Sequence, residues 1–147
     1  MTKVRYTKAN PTIPNLKKAN PLDAGFDLAA NEAITIQPNE TKLVNTGIKA
    51  IIPEGYVGLV CSRSGLALKK QVFVLNSPGI VDAFYKGDYS CIITNLGKEP
   101  FEIKIGDRIA QLVIIRLADV DMELVSEYEF TQIHSERGTG GFGSSGT

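Results

Sequence analysis

A chain of 147 residues, 43% of them hydrophobic, is long enough to bury one substantial core, so a single compact domain is expected. Its 16 Lys and Arg residues balance 16 Asp and Glu residues, which argues against a broad surface for nucleic acid or membrane but leaves room for a small cationic pocket. No apolar run reaches the ~18 residues of a membrane span, and the opening MTKVRYTKAN lacks the apolar core of a signal peptide, so a cytoplasmic protein is expected.

Short segments with the patterns of β-strands follow one another along the chain. AITIQ (33–37) and PFEIKIGD (100–107) alternate apolar and polar residues, as half-buried strands do. GYVGLVC (55–61), QVFVL (71–75) and IAQLVII (109–115) are continuous apolar runs, typical of strands buried on both faces. Turn-forming residues separate these segments at intervals of roughly 10 residues, a spacing that predicts an all-β sandwich, barrel or jelly roll.

One short helix and a glycine-rich arm complete the predicted elements. SGLALKK (64–70) favours a helix of a turn or two, with Ser64 as its N-cap. RGTGGFGSSGT (137–147) contains the G-x-G-x-x-G spacing, but only four residues follow Gly143 in the sequence, so the helix and acidic residue of a dinucleotide fold are not expected here. Two interpretations of this segment remain: a disordered tail, or a mobile arm that orders over an anionic ligand. The predicted division is a β-domain over 1–134 and an arm over 135–147.

The cysteines and the histidine give no pattern of a catalytic or metal site. Cys61 and Cys91 each lie in an apolar, strand-like run without a neighbouring histidine, which favours two buried structural thiols over a disulfide or a nucleophile. His134 is the only histidine in the sequence, so no histidine-based metal cluster is expected, and it is predicted to lie at the surface.

Four interior segments carry polar and glycine residues that strands and turns do not require. They are DAGFDLAA (23–30), SRSGLA (62–67), NSPGIVDAFYKGD (76–88) and GDRIAQL (106–112). Each alone is compatible with ordinary turn chemistry. Together they supply cations, backbone N–H donors, carboxylates and aromatic rings, which suits a nucleoside triphosphate with Mg²⁺. Because the sequence has no G-x-x-x-x-G-K-[ST] motif, a P-loop enzyme is excluded.

These segments and the terminal RGTGGFGSSG occur in the order and spacing of the trimeric dUTPase family, which the chain resembles from about Leu22 onward. The resemblance implies a jelly-roll β fold, a homotrimer with active sites at subunit interfaces, Mg²⁺, and hydrolysis of dUTP to dUMP and pyrophosphate. That activity would prevent uracil incorporation into DNA and supply dUMP for thymidylate synthesis. No nucleic-acid or membrane partner is expected.

The resemblance also assigns roles to the segment that ends in GIVDAFY (79–85). Asp82 would act as the general base that activates the water attacking the α-phosphorus. Asn76 would bond the uracil edge, alongside backbone groups near Gly79 and Val81. Tyr85 would pack beneath the deoxyribose and leave no room for a 2′-hydroxyl.

The other segments would hold the phosphates and the metal ion. Gln111 would contact the phosphate chain within the catalytic centre, and Asp27 would reach Mg²⁺ through water. Arg108 is expected to form a structural ion pair. The resemblance assigns the remaining substrate contacts to the turn before the predicted helix and to the arm: Arg63, Ser64 and Gly65; Arg137 on the γ-phosphate; Phe142 stacked on uracil; Gly143 and Ser144 around the phosphates.

Two positions depart from the family pattern. Ser62 replaces a common proline, which is expected to loosen that turn, and Phe84 follows Ala83 where Asp or Gly is more usual, so Phe84 could pack at a subunit interface. Two alternative functions remain: a dCTP deaminase, which shares the fold, and a catalytically silent dUTPase-like regulatory protein. The aromatic arm and GIVDAFY favour pyrophosphate release over deamination.

Overall fold

The computed structural model describes residues 2–141, and β-strands dominate the described chain. The strands are β1 (Arg5–Lys8), β2 (Gly25–Ala29), β3 (Ile34–Ile36), β4 (Thr41–Asn45), β5 (Ile48–Ile51), β6 (Tyr56–Cys61), β7 (Val72–Val74), β8 (Gly79–Val81), β9 (Ser90–Asn95), β10 (Phe101–Ile103) and β11 (Arg108–Arg116). The helices are α1 (Ser64–Lys70) and α2 (Glu127–Gln132). The prediction of an all-β fold is confirmed.

All strand pairs are antiparallel, and they form two larger sheets and two ribbons. The 4-stranded sheet has the order β2-β11-β6-β8, and the 3-stranded sheet has the order β4-β9-β7. The ribbons pair β1 with β5 and β3 with β10. The long strand β11 lies between β2 and β6, while β8 is an edge strand, and this order sets up the candidate site.

The core is a single apolar cluster to which both larger sheets contribute. Leu28 and Leu112 come from the 4-stranded sheet, and Val44 and Ile93 come from the 3-stranded sheet. Burying each such side chain contributes about 1.5–3 kcal/mol to folding. Buried Asn95 is satisfied because its amide donates to the backbone oxygens of Ile36 and Glu99, both at 2.9 Å.

Turn chemistry ends the strands where the sequence predicts it. Gly55 (φ 76°) and Gly106 (φ 89°) adopt the left-handed conformation that glycine tolerates best. Ile105 departs from its predicted place in an alternating strand: β10 ends at Ile103, and Ile105 is exposed in the following turn. The turn residues after it therefore override the alternating pattern.

Helix α1 is confirmed over the predicted residues, but its predicted cap is wrong. Arg63 is the N-cap and makes no side-chain capping hydrogen bond, while Ser64 is the first helical residue. The backbone of Arg63 is still extended, like that of the preceding strand β6, so the helix begins at the next residue, Ser64. Gln71 closes the helix in a left-handed conformation, with its N–H bonded to carbonyls of the last turn.

The two cysteines are free thiols, as predicted, but only one is fully buried. Burial raises the pKa of Cys91 to about 12, so this thiol is inert. Cys61 is half-buried, and its partial burial raises its pKa to a lesser degree, so the prediction of two buried thiols is half right. His134 is exposed, as expected.

Beyond β11 the described chain leaves the core. From Ile115 to Thr139 every residue is exposed, including α2, which the sequence analysis did not predict. A capping box stabilises α2: the Ser126 hydroxyl accepts from the Glu129 N–H, and the Glu129 carboxylate accepts from the Ser126 N–H at 2.8 Å. No helix within residues 2–141 has the length and apolar character that a membrane crossing requires.

Candidate active site

A cleft of about 580 Å³ opens beside the edge strand β8. The residues predicted to bind base and sugar all line it: Asn76, Gly79, Val81 and Tyr85. Strand β8 is held on one side by β6, with Gly79 opposite Val60 and Val81 opposite Gly58. On its other side β8 has no strand partner within the described chain, so backbone N–H and C=O groups remain available to a ligand.

Asn76 lies close against the backbone at Gly79. A Cβ atom at Gly79 would lie 3.2 Å from the Asn76 amide nitrogen and 3.5 Å from the Val60 side chain. The contact with the Asn76 amide would be tighter than ordinary packing, so glycine lets this amide approach the main chain. The amide and the strand edge therefore offer both donors and acceptors in one narrow place.

Tyr85 forms one wall of the cleft and stacks on Tyr89, with ring centroids 6.3 Å apart and an interplanar angle of 26°. Tyr89 is buried and its hydroxyl donates to the Ala50 carbonyl at 2.9 Å. Burial, together with the nearby Tyr85, raises the pKa of Tyr89 to about 12, so its hydroxyl stays protonated at neutral pH. The Tyr85 ring therefore packs on the Tyr89 ring, which burial and a hydrogen bond hold in place.

Gly87 is a site residue that the sequence analysis missed. A Cβ atom there would overlap the ring and hydroxyl of Tyr85, so only glycine permits this position of the ring. Gly87 lies within NSPGIVDAFYKGD, two residues after Tyr85, and this closeness in sequence could have indicated that it makes space for the ring. Tyr89 was missed too, because an aromatic residue directly before a strand is typical of an ordinary core position.

Asp82 follows β8 directly and is exposed. Its backbone carbonyl accepts from the Tyr85 N–H at 3.3 Å, and the Phe84 N–H donates to the Ile52 carbonyl at 3.0 Å, which together define the turn. Within residues 2–141 the Asp82 carboxylate takes part in no hydrogen bond or ion pair, so its oxygens are available as hydrogen-bond acceptors for a ligand or water. Phe84 has a left-handed backbone (φ 62°) and an exposed ring.

A second group of predicted residues surrounds Asp27. The Arg63 Nε lies 3.6 Å from one Asp27 oxygen, and the Arg108 Nη1 lies 3.2 Å from the other. Arg63 also donates to the Arg108 carbonyl at 2.9 Å. The ion pair predicted for Arg108 is confirmed. Because these side chains are partly exposed, each pair contributes about 0–1 kcal/mol, so a ligand phosphate can compete for the guanidinium groups.

Gln111 lies opposite Asp27 on β2 and opposite Cys61 on β6. Its Nε2 donates to the Ser62 carbonyl at 2.9 Å. A Cβ atom on Gly25 would overlap the Gln111 side-chain oxygen, so Gly25, another residue that the sequence analysis did not single out, makes the space for this side chain. Gln111 is therefore held in one orientation beside Asp27.

Ser64 and Gly65 are exposed in the first turn of α1, directly after Arg63. The first N–H groups of a helix have no acceptor within the helix, so this turn offers donors beside the arginine. These residues therefore adjoin the group around Asp27, on the side where Arg63 enters it.

The turn at Ser62 is well bonded, so the expectation that it would be loose is wrong. The Ser62 N–H donates to the Ser77 hydroxyl at 3.0 Å. The Ser62 hydroxyl accepts from the Val74 N–H at 3.0 Å and donates to the Val74 carbonyl at 3.4 Å. Hydrogen bonds replace the restraint that a proline ring would provide.

The functional residues thus form separate groups within one chain. No hydrogen bond or ion pair between described residues joins Asp82 or Tyr85 to Asp27 or Arg63. Arg137 makes only local contacts: its Nε donates to the Gly140 carbonyl at 3.0 Å, and its own carbonyl accepts from the Gly140 N–H at 3.1 Å. Predicted arm residues Phe142, Gly143 and Ser144 lie outside the described residues.

The donor set bears on the predicted Mg²⁺. Among residues 2–141, no group of three His, Cys, Asp or Glu side chains converges as a metal cage. Mg²⁺ keeps several waters and commonly binds one or two carboxylates together with substrate phosphates. A lone carboxylate at Asp27, flanked by two arginines, fits an ion that arrives with a polyphosphate and does not fit one held by protein alone.

Comparison with known proteins agrees with this geometry. The dUTPase family model matches residues 11–146. The chain is 42% identical to a deoxyuridine 5′-triphosphate nucleotidohydrolase from Nocardia farcinica over 99% of this chain and 87% of the relative. It is 43% identical to one from a Picosynechococcus species, over 98% of this chain and 99% of the relative.

Two solved structures are similar to the whole fold or most of it. The dUTPase of Staphylococcus bacteriophage 80alpha with dUPNHPP has a TM-score of 0.90 and 28% identity, over 100% of both chains. A mutant dUTPase from phage phi11 of S. aureus, described with a structural Mg(II) ion, has a TM-score of 0.79 and 26% identity, over 87% of this chain and 99% of that one. The family match and the relatives leave one conclusion: this chain belongs to the dUTPase family.

Proposed function

We propose that the protein hydrolyses dUTP to dUMP and pyrophosphate, with Asp82 as the general base. The observation that carries this proposal is the cleft at the edge of β8, which Asn76 and Tyr85 line. The exposed Asp82 follows directly after the last residue of that strand. Relatives named as deoxyuridine 5′-triphosphate nucleotidohydrolases and a similar structure holding dUPNHPP support it.

Base selection follows from the edge of β8 and from Asn76. A uracil edge presents acceptor, donor and acceptor in turn, and the Asn76 amide with the free backbone groups near Gly79 and Val81 can match that order. Cytosine reverses part of the pattern and would leave buried groups unpaired, which costs about 1–3 kcal/mol for each. We infer that the narrow turn around β8 likewise excludes the methyl group of thymine.

Sugar selection follows from Tyr85. Its ring stacks on the buried ring of Tyr89, which limits movement of Tyr85 toward the interior. A deoxyribose can pack its apolar face on this ring. A 2′-hydroxyl would meet the ring with steric overlap and without a hydrogen-bond partner.

The reaction requires a base at the attacking water. As the water oxygen bonds to the α-phosphorus, the Asp82 carboxylate takes its proton, the bond from the α-phosphorus to the bridging oxygen breaks, and pyrophosphate leaves with that oxygen. The proton then passes from Asp82 to solvent, and dUMP is released. General-base assistance of this kind contributes about 10²–10⁴-fold to the rate.

Arg63, Gln111 and the first turn of α1 hold the phosphates in this proposal, with Ser64 and Gly65 supplying donors from that turn. Asp27 would be the residue that holds Mg²⁺, through water. Bound Mg²⁺ would neutralise charge on the phosphate oxygens and orient the chain. Arg63 exchanges part of its contact with Asp27 for a phosphate, which its partial exposure allows.

A homotrimer whose active sites lie between subunits explains why the cleft residues, the group around Asp27 and Arg137 are not joined by contacts within one chain. The segment after β11 exposes large apolar side chains, with Met122 and Leu124 at 91% and 98% exposure. Exposed apolar surface on this scale is typical of an interaction segment. We infer that the segment packs on a neighbouring subunit and carries the arm (135–147) to that subunit's site, where Arg137 binds the γ-phosphate and Phe142, Gly143 and Ser144 close over the nucleotide.

The test is a substrate panel with purified protein and Mg²⁺. Pyrophosphate and ammonia are measured in parallel from dUTP, dCTP, dTTP and UTP. The proposal predicts pyrophosphate from dUTP at a kcat/KM at least about 100-fold above the other three, consistent with one or two unpaired groups for each wrong substrate. Ammonia release from dCTP would instead identify a deaminase, and absence of both products would identify a silent protein.

A further inference from the structure

We propose that Ser62 is a positioning residue that anchors the Asn76 loop to the end of β6 and thereby sharpens base selection; this rests on the proposed hydrolysis of dUTP. Ser62 bonds to Val74, two residues before Asn76, and to Ser77, directly after it. Its hydroxyl engages both backbone groups of Val74, and its N–H donates to the Ser77 hydroxyl. The loop between these two contacts carries Asn76 into the cleft.

The anchor matters because few other contacts fix the part of the loop around Asn76. Val74 is the last residue of β7, and the Leu75 N–H donates to the Ile92 carbonyl of β9 at 2.8 Å. After Leu75, the only backbone bond that described residues make within the loop is the local one from the Ser77 N–H to the Val74 carbonyl, at 3.1 Å. Asn76 and Ser77 are exposed, so burial does not hold them. Strand β7 belongs to the 3-stranded sheet and β6 to the 4-stranded sheet, and Ser62 therefore bonds the loop across the two sheets.

The same residue holds Gln111 by a different atom. Its carbonyl accepts from Gln111 Nε2, and no side-chain substitution at position 62 removes a carbonyl. Changes to the hydroxyl of Ser62 therefore act on the Asn76 loop and spare the hold on Gln111. This separation makes the role testable.

The first experiment compares Ser62→Ala with Ser62→Thr, which keeps a hydroxyl. Ser62→Ala should narrow the ratio of kcat/KM for dUTP over dCTP by roughly three- to tenfold, as expected for one or two lost hydrogen bonds. Ser62→Thr should stay within about twofold of the original ratio, because its hydroxyl can remake the same bonds. The inhibition constant of inorganic triphosphate, which does not reach Asn76, should be unchanged in both variants. An unchanged base ratio in Ser62→Ala, or an equal weakening of triphosphate, would overturn the proposal.

The second experiment needs no turnover. Ser62→Pro removes the N–H that Ser77 accepts, so Ser77→Ala should lower the thermal unfolding midpoint by about 1–3 °C in the original chain and leave it unchanged in the Ser62→Pro chain. Equal shifts in both backgrounds would show that Ser62 does not anchor the loop. If the unsubstituted protein releases no pyrophosphate from dUTP, the proposed function fails, while this cycle still measures the anchor.

Discussion

Replacing Gly87 with alanine tests whether the Tyr85 ring sets the preference for deoxyribose. The added methyl group would overlap the ring and hydroxyl of Tyr85, and the backbone of Gly87 is not in the left-handed region, so the change acts through this contact alone. Tyr85 is 49% exposed and can rotate toward solvent to relieve the overlap. The substitution therefore displaces the ring without removing it.

The expected narrowing of the sugar preference follows from the free energy that the displaced Tyr85 ring loses. The stacking on Tyr89 contributes about 0.5–1.5 kcal/mol, and an off-rotamer side chain costs about 0.5–1.5 kcal/mol. Together these give a loss of about 1–3 kcal/mol, which corresponds to about a five- to 150-fold narrowing of the preference for dUTP over UTP. The preference for dUTP over dCTP should remain, because Asn76 and the β8 edge are untouched.

The assay is kcat/KM for dUTP, UTP and dCTP in four proteins: the original, Gly87→Ala, Tyr85→Ala and the double variant. Tyr85→Ala should itself narrow the sugar preference by about tenfold or more. In the double variant Gly87→Ala should add almost nothing, since the methyl group has no ring to meet. An equal effect of Gly87→Ala with and without the ring would refute this reasoning, and a collapse of base preference in Tyr85→Ala would place that ring on the base.

Three further predictions follow from the same geometry. Asp82→Asn should keep dUTP binding while turnover falls by about 10²–10⁴-fold, since an amide cannot take the proton; near-normal turnover would remove Asp82 from the mechanism. Asp82→Asn subunits mixed with subunits lacking 135–147 should regain activity through shared sites, whereas a monomer by light scattering that is active at nanomolar dilution would rule this out. Phe84→Gly should be more stable to denaturant than Phe84→Ala by about 1 kcal/mol because of its left-handed backbone; the reverse order would contradict that strain.

The strand pattern could be predicted because burial in a sandwich leaves a direct mark on the sequence. Period-two alternation located β3 and β10, and apolar runs located β6, β7 and β11. The end of β10 was predicted wrongly, because Ile105 continues the alternation into the turn at Gly106. Helix α2 was missed because it is too short and too exposed to show an apolar face.

The chemistry of the candidate site was easier to predict than its support. Asn76, Gly79, Val81 and Tyr85 belong to one motif, and one cleft collects them. The supporting contacts at Gly25, Gly87 and Ser62 join segments distant in sequence or depend on free space, and neither property shows in a one-dimensional pattern. For Gly25 and Gly87, the one sequence signal was their position two residues from a predicted site residue, Asp27 and Tyr85 respectively.

Hydrolysis of dUTP in water labelled with oxygen-18 tests the central claim most directly. If water activated by Asp82 attacks the α-phosphorus, mass spectrometry should find one labelled oxygen in dUMP and none in pyrophosphate. The Asp82→Asn protein should give the same distribution at a much lower rate. Label in pyrophosphate would place the attack on the β-phosphorus, and label in the base would identify hydrolysis at the ring; either result would contradict the account.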